Sequence, residues 1–121
     1  MEIHCQIDMQ TSAGDAFGTF FIKSKEICFP WQDWTDFAVA ILDYWISQVI
    51  KYDSSDRASF AVFFMEGPYY LLVEKNGENA LIYGKKEGEE DFQNNFLEIV
   101  EWETLKRMLF STVDSLNQKK E

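Results

Sequence analysis

The chain has few of the histidine and cysteine side chains that often serve as catalysts or metal ligands. His4 is the single histidine, and Cys5 and Cys28 are the two cysteines. His4 lies on the polar side of an alternating segment, where a lone histidine is usually a surface residue. The three residues would bind a metal only if the fold brought them together, because the chain has no CxxC pair, HExxH motif or spaced His/Cys set. We therefore expect no metal site and no catalytic residue.

The glycines and the carboxylate pairs give no clearer sign of an enzyme. Gly67, Gly77 and Gly84 fall in turns, and neither GxGxxG nor GxxxxGK(S/T) occurs, so a phosphate-binding loop is not indicated. Pairs such as Asp33/Asp36 carry little information in a chain with 21 acidic residues. We expect a non-enzymatic protein that needs no cofactor.

The acidic clusters are the remaining candidates for function. One runs Glu87-Gly88-Glu89-Glu90-Asp91, and another runs Asp53-Ser54-Ser55-Asp56. Either they are solvated loops, or they form a recognition surface, since carboxylates pair with Arg and Lys and binding residues concentrate in loops. Tyr69 and Tyr70 are adjacent and face opposite sides of a strand, so one of them could anchor an interface. The residues predicted to bind a partner are Glu87, Glu89, Glu90, Asp91, Asp53, Asp56 and Tyr69.

The charge balance restricts the kind of partner. The chain has 21 Asp and Glu against 11 Lys and Arg, which gives a formal net charge of −10. Nucleic acids and anionic membranes are bound chiefly through Lys and Arg, so neither is an expected partner. The charge favours a basic protein, whose approach the field would accelerate, although acidity can also serve solubility alone.

Hydrophobic periodicity predicts the elements that must position these side chains. Alternating or continuous apolar segments predict strands at 2–9, 17–23, 26–29, 58–65, 69–75, 79–84 and 92–100. The pair Asn76-Gly77 predicts a hairpin with a type I′ turn.

Helical spacing appears twice. Apolar residues recur at the spacing of one helix face from Trp34 to about Tyr52, with Asp33 as the predicted N-cap and Asp36 in the first turn. A final helix is predicted to begin near Glu101 or Trp102. The order of elements predicts an α+β fold, a mainly antiparallel sheet with two helices packed on one face, as a single domain over residues 1–121.

The expected cellular location follows from two features that the sequence does not show. The chain shows no signal peptide and no apolar run of the roughly 20 residues that span a bilayer, so we expect a cytoplasmic protein with reduced cysteines. The oligomeric state is left open.

One segment resembles a known family. Phe29-Pro30-Trp31-Gln32-Asp33-Trp34-Thr35-Asp36-Phe37, continuing to Ile41-Leu42-Asp43-Tyr44-Trp45, is similar to a pattern in small bacterial immunity proteins. Those proteins are encoded beside polymorphic toxins, including toxins of contact-dependent growth inhibition. The resemblance covers about 17 residues, together with a following meander and C-terminal helix, and its residues are largely structural.

The resemblance implies a cytoplasmic protein that binds and neutralises a cognate toxin effector domain. Many such toxins are basic nucleases, and an acidic inhibitor can imitate the phosphate backbone that they bind. The leading hypothesis is therefore an immunity protein acting through an acidic surface. The alternative is a non-enzymatic scaffold that self-associates through an exposed sheet face or edge.

Overall fold

Two antiparallel sheets and two helices make up the part of the chain that the structure, a computed structural model, describes: residues 1–10, 16–88 and 95–118. In sheet A, the central strand β2 pairs with all the others. The strands of sheet A are β1 (Glu2–Gln10), β2 (Ala16–Ser24), β3 (Ile27–Phe29) and β4 (Thr35–Asp36). The α+β class and the antiparallel pairing predicted from the sequence are confirmed.

Sheet B is a meander in which each strand pairs with the next. Its strands are β5 (Arg57–Phe63), β6 (Tyr69–Asn76), β7 (Asn79–Lys86) and β8 (Phe96–Glu101). Alternate residues are buried along each strand, as the period of two requires, so that Val62, Leu71, Val73 and Ile82 all face the core with no exposed surface.

The hairpin between β6 and β7 is confirmed, but its turn differs from the predicted one. Asn76 pairs with Asn79, so the two central residues are Gly77 and Glu78. Gly77 has φ 62°, which fits a type II′ turn, where positive φ is needed at the first central position. The predicted type I′ turn, with Asn76 and Gly77 at its centre, is wrong because the pairing extends one residue further.

The two helices pack on both sheets and on each other. Helix α1 (Ala38–Lys51) contacts β1, β2 and β5, and helix α2 (Trp102–Gln118) contacts β1, β7 and β8. Both bury an apolar stripe at helical spacing. The stripes are Ala38, Ile41, Leu42, Trp45 and Val49 in α1, and Trp102, Leu105, Leu109 and Leu116 in α2. Within the described residues, neither helix is long and apolar enough to cross a membrane.

The strands divide between two sheets, where the sequence predicted one. Side chains, not a backbone ladder, join the sheets: the ring of Phe29 in β3 lies against Gly84 in β7, in space that a Cβ would fill. The hydroxyl of Ser24 in β2 donates to the Leu97 carbonyl in β8 at 2.8 Å. Because the edges meet through such contacts, the sheets share one core with the helices across it.

Helix α1 begins four residues later than predicted, and the predicted N-cap is wrong. Its N-cap is Phe37, which makes no side-chain capping bond, while Asp33 adopts a positive φ of 62° upstream of the helix. Residues Thr35 and Asp36 pair with β2 as a short strand instead.

The hydrogen bonds of Asp36 explain why helix α1 starts after this residue. It is buried, and its two carboxylate oxygens accept four hydrogen bonds. The donors are the Trp34 indole N–H and the backbone N–H groups of Phe37, Met65 and Glu66, at 2.7–3.2 Å. Because its carboxylate binds the turn between β5 and β6, Asp36 lies outside the first turn of α1.

Candidate functional site

Three chain segments meet at one end of sheet B and enclose an acidic cleft. They are the loop after α1, the β6–β7 turn and the junction of β8 with α2. The cavity between them has a volume of 470 Å³. Its walls carry five carboxylates, and Lys75 and Trp102 lie at its base. The carboxylates of this acidic cleft are Asp53, Asp56, Glu78, Glu101 and Glu103.

Backbone hydrogen bonds hold the three segments together. The N–H of Gly77 donates to the Asp56 carbonyl at 2.7 Å, which joins the loop to the turn. The N–H of Trp102 donates to the Glu78 carbonyl at 2.7 Å, which joins the turn to α2. The cleft is therefore built on fixed backbone rather than on independent loops.

Asp53 is bound by two donors from α2. Its Oδ1 accepts the Trp102 indole N–H at 2.9 Å and the ammonium of Lys106 at 2.9 Å. The hydrogen bond from Lys106, and then that from Trp102, hold the pKa of the Asp53 carboxyl below its ordinary value. The same contact with Asp53 raises the pKa of Lys106. Asp53 therefore stays ionised and fixed in position at neutral pH.

Lys75 lies inside the cleft wall and is only 6% exposed. Its Nζ donates to the carbonyls of Tyr52 and Asp53, at 3.0 and 2.8 Å, just beyond the C-terminus of α1. The ammonium also lies 4.5 Å from the ring centroid of Trp102, within the range of a cation–π contact. Lys75 therefore stabilises the loop after α1 and the position of the Trp102 ring.

The remaining carboxylates are open to solvent. Asp56, Glu78 and Glu101 are exposed and make no salt bridge to any residue in the described ranges. Glu103 is 72% exposed and shares Lys106 with Asp53, at 3.3 Å. Five carboxylates against two lysines leave a negative cleft that can bind cationic groups through charge-assisted hydrogen bonds. Among residues 1–10, 16–88 and 95–118, no group of three or more potential ligands is arranged to hold a metal ion.

The residues predicted to bind a partner do not form one site. Asp53 and Asp56 line the acidic cleft, whereas Tyr69 and Glu87 lie at the opposite end of sheet B. The length of β6 separates the two ends by roughly 20 Å. Glu89, Glu90 and Asp91 lie outside the described residues.

Tyr69 belongs to an aromatic cluster at that far end. Its ring packs edge-on against Trp31, Trp34 and Phe29, with centroid distances of 5.7, 5.5 and 5.8 Å. Tyr69 is half-buried in these contacts, while Trp31 beside it is 52% exposed. Glu87 is exposed nearby, and its N–H donates to the Pro68 carbonyl at 2.8 Å.

The two cysteines are not brought together, although His4 and Cys28 line one depression on sheet A. Cys5 pairs with Phe20 in β2 and Cys28 pairs with Lys23, three residues along, so the two thiols point to opposite faces of sheet A. The His4 ring stacks on Phe21 at a centroid distance of 4.5 Å.

Sequence reasoning missed most of the cleft. Glu78, Glu101 and Glu103 are single acidic residues far from Asp53 in the sequence, and no acidic run identifies them. Two features of the sequence could have pointed to these residues: the position of Glu78 in the hairpin turn, and the two glutamates on either side of Trp102.

Comparison with known protein families, with curated proteins and with solved structures found no match for this chain.

Proposed function

We propose that this chain is a non-enzymatic immunity protein that neutralises a cognate toxin effector domain by binding its cationic side chains in the acidic cleft. The observation that carries the proposal is the set of five carboxylates held on fixed backbone around Trp102. The resemblance at residues 29–45 and the net charge of −10 also favour it. The proposed location is the cytoplasm, where such a protein would meet an imported toxin.

The geometry of the cleft suits an arginine or lysine of the partner. Asp56, Glu78 and Glu101 come from three different segments, so their carboxylates face the cavity from several sides. An entering guanidinium could form bidentate hydrogen bonds with one carboxylate while the others add to the attraction. Such a site would favour a basic partner and reject an acidic one.

The state of Asp53 supports binding more than catalysis. A general acid or base works best with a pKa near the operating pH. The hydrogen bonds from Lys106 and Trp102 instead lower the pKa of Asp53, which keeps it an ionised structural acceptor.

The test replaces three cleft glutamates and leaves the fold intact. The triple variant Glu78→Gln/Glu101→Gln/Glu103→Gln removes negative charge at exposed positions only. The matched control, Glu2→Gln/Glu26→Gln/Glu66→Gln, removes the same charge at exposed positions elsewhere. Each is co-expressed with a basic effector domain taken from a neighbouring reading frame, and cell survival and the dissociation constant at low and high salt are measured.

We expect the cleft variant to lose protection and to bind at least tenfold more weakly, on the order of 0.5 kcal/mol or more per charge. The control should protect as the unmodified protein does. Binding of the unmodified protein should weaken with salt, since screening acts on exposed charges. A cleft variant that still protects fully would reject the cleft as the inhibitory site.

The acidic segment 87–91 is a separate prediction. Alanine at Glu89, Glu90 and Asp91 should weaken toxin binding if this segment, with Tyr69, forms the interface. Unchanged affinity would reject that assignment and leave the acidic cleft as the binding site.

A further inference from the structure

The outer face of sheet B is apolar and is covered by neither helix. The helices pack on the face that buries Val62, Leu71 and Ile82, so the alternate residues of each strand point away from the core. The register places these outward residues in neighbouring positions across all four strands. The outer face is formed by Ala61, Phe63, Tyr70, Leu72, Leu81, Tyr83, Phe96 and Ile99.

These side chains form a continuous patch. Phe63 packs on Tyr70 with a centroid distance of 5.0 Å, and Tyr83 packs on Phe96 at 5.5 Å. Phe63 and Phe96 remain 47% exposed, and Ile99 is 55% exposed. A protein that stays monomeric seldom exposes so many large apolar groups side by side, so the patch indicates an interaction surface.

Two opposite charges lie at opposite ends of the outer face. Lys85 is at the end beside Tyr70, and its Nζ lies 5.5 Å from the ring centroid of Tyr83. Glu74 is at the other end, paired with Leu81. The strand spacing and rise put the two residues roughly 14 Å apart on a diagonal across the centre of the face. Arg57 lies beside Glu74 at the margin, in the same shallow depression.

This arrangement is complementary to itself. A twofold axis lying between two facing sheets, roughly across the strands, places Lys85 of each copy over Glu74 of the other. The same operation lays the apolar rows of Leu72 and Tyr83 against their counterparts. A twofold interface requires such a pattern, in which one patch meets an identical patch.

We propose that the outer face of sheet B binds a second copy of this chain, as a symmetric dimer of facing sheets with two Lys85–Glu74 pairs. Four strands spaced by about 4.8 Å, over about seven residues each, present roughly 450 Å² per copy. The total of about 900 Å² falls in the range of weak, transient interfaces, so the dimer is a reversible one. This inference goes beyond the proposed inhibitory function and uses a different surface.

Net charge gives the dimer a distinctive salt dependence. Two copies with a charge of −10 each repel one another, and salt screens that repulsion. Self-association should therefore strengthen between low and moderate salt. Binding of a basic partner in the acidic cleft should weaken over the same range, so the two surfaces are distinguished by the sign of the effect.

The test exchanges the two charges. Sedimentation equilibrium is measured on the purified chain, without any partner, from about 1 to about 300 µM, where weak interfaces of this size are detected. Lys85→Glu and Glu74→Lys should each weaken self-association by about tenfold, since each places like charges together. Mixed in equal amounts, the two variants should recover association, because each interface then pairs Glu with Lys.

Further variants separate the effect of a charge on the outer face from the effect of the net charge. Phe96→Glu should abolish the dimer, whereas Phe110→Glu, which introduces the same charge at a similarly exposed position on α2, should not. Circular dichroism confirms that each variant is folded. A chain that is monomeric over the whole range, or a mixture that associates no better than its components, would overturn the proposal.

Discussion

The indole N–H of Trp34 donates a hydrogen bond to the carboxylate of Asp36 at 2.9 Å, and both side chains are buried. The same carboxylate accepts the backbone N–H groups of Met65 and Glu66, which lie in the turn between β5 and β6. One side chain of sheet A therefore fixes a turn of sheet B. Asp36 is therefore a structural residue.

Asp36→Asn should destabilise the protein by about 2–4 kcal/mol, because it places an NH₂ group against N–H donors that need an acceptor. Urea unfolding followed by circular dichroism measures the loss. Asp43→Asn, at an exposed position of α1, makes the same chemical change and should alter stability by less than about 0.5 kcal/mol. Equal effects of the two substitutions would contradict the role assigned to Asp36.

Lys75→Met should cost about 2–3 kcal/mol, because it leaves the carbonyls of Tyr52 and Asp53 without their donor and removes the contact with Trp102. Thermal unfolding measures the change. Lys51→Met, in the exposed last turn of α1, serves as the control and should cost less than about 1 kcal/mol. A small effect at Lys75 would show that another group holds the loop.

The pH dependence of stability should show the contribution of Asp53. Its pKa is lowered in the folded state, chiefly by the hydrogen bond from Lys106, so the stabilisation is complete above the ordinary aspartate pKa of about 3.9. It is lost as the pH falls through the lower, folded-state value. Asp53→Asn should therefore reduce the fall in unfolding temperature below about pH 4. A variant with the same acid profile as the unmodified protein would contradict this.

Gly84→Ala should destabilise the protein by about 1–3 kcal/mol, because the new Cβ would overlap the buried ring of Phe29. Phe29→Leu in the same chain should recover part of that loss, since it removes the ring from the space. Gly77→Ala is the control: its φ of 62° makes the change costly, but no atom lies within 4 Å of the added Cβ. The changes in stability caused by Gly77→Ala and by Phe29→Leu should therefore be additive, which a double-mutant cycle measures.

Periodicity predicted most of the fold because both helices and the strands of the meander bury one face each. The start of α2 at Trp102 and the strand at Glu2–Gln10 lie where the pattern placed them. The start of α1 was missed because Trp34 has the spacing of the helix face, while the indole instead binds Asp36. Spacing describes which residues are buried, but it does not show which hydrogen bonds they make once buried.

The candidate site was predicted only in part, for a similar reason. Asp53 and Asp56 stood out because they lie three residues apart in one polar run. Glu78, Glu101 and Glu103 join them through strand register and the backbone bonds of Gly77 and Trp102, which depend on the tertiary fold. A cluster assembled from distant segments leaves no run of charge in the sequence. Tyr69 and Asp53, which were grouped together, are separated because β6 runs between them.

The assembly of the acidic cleft from three distant segments also links its charge pattern to folding. In the unfolded chain the five carboxylates are scattered along the sequence, and none of the three segments carries the pattern by itself. A ligand that recognises the pattern therefore discriminates between native and denatured molecules. By mass action, it would raise the unfolding temperature in proportion to the logarithm of its concentration once the site is nearly saturated.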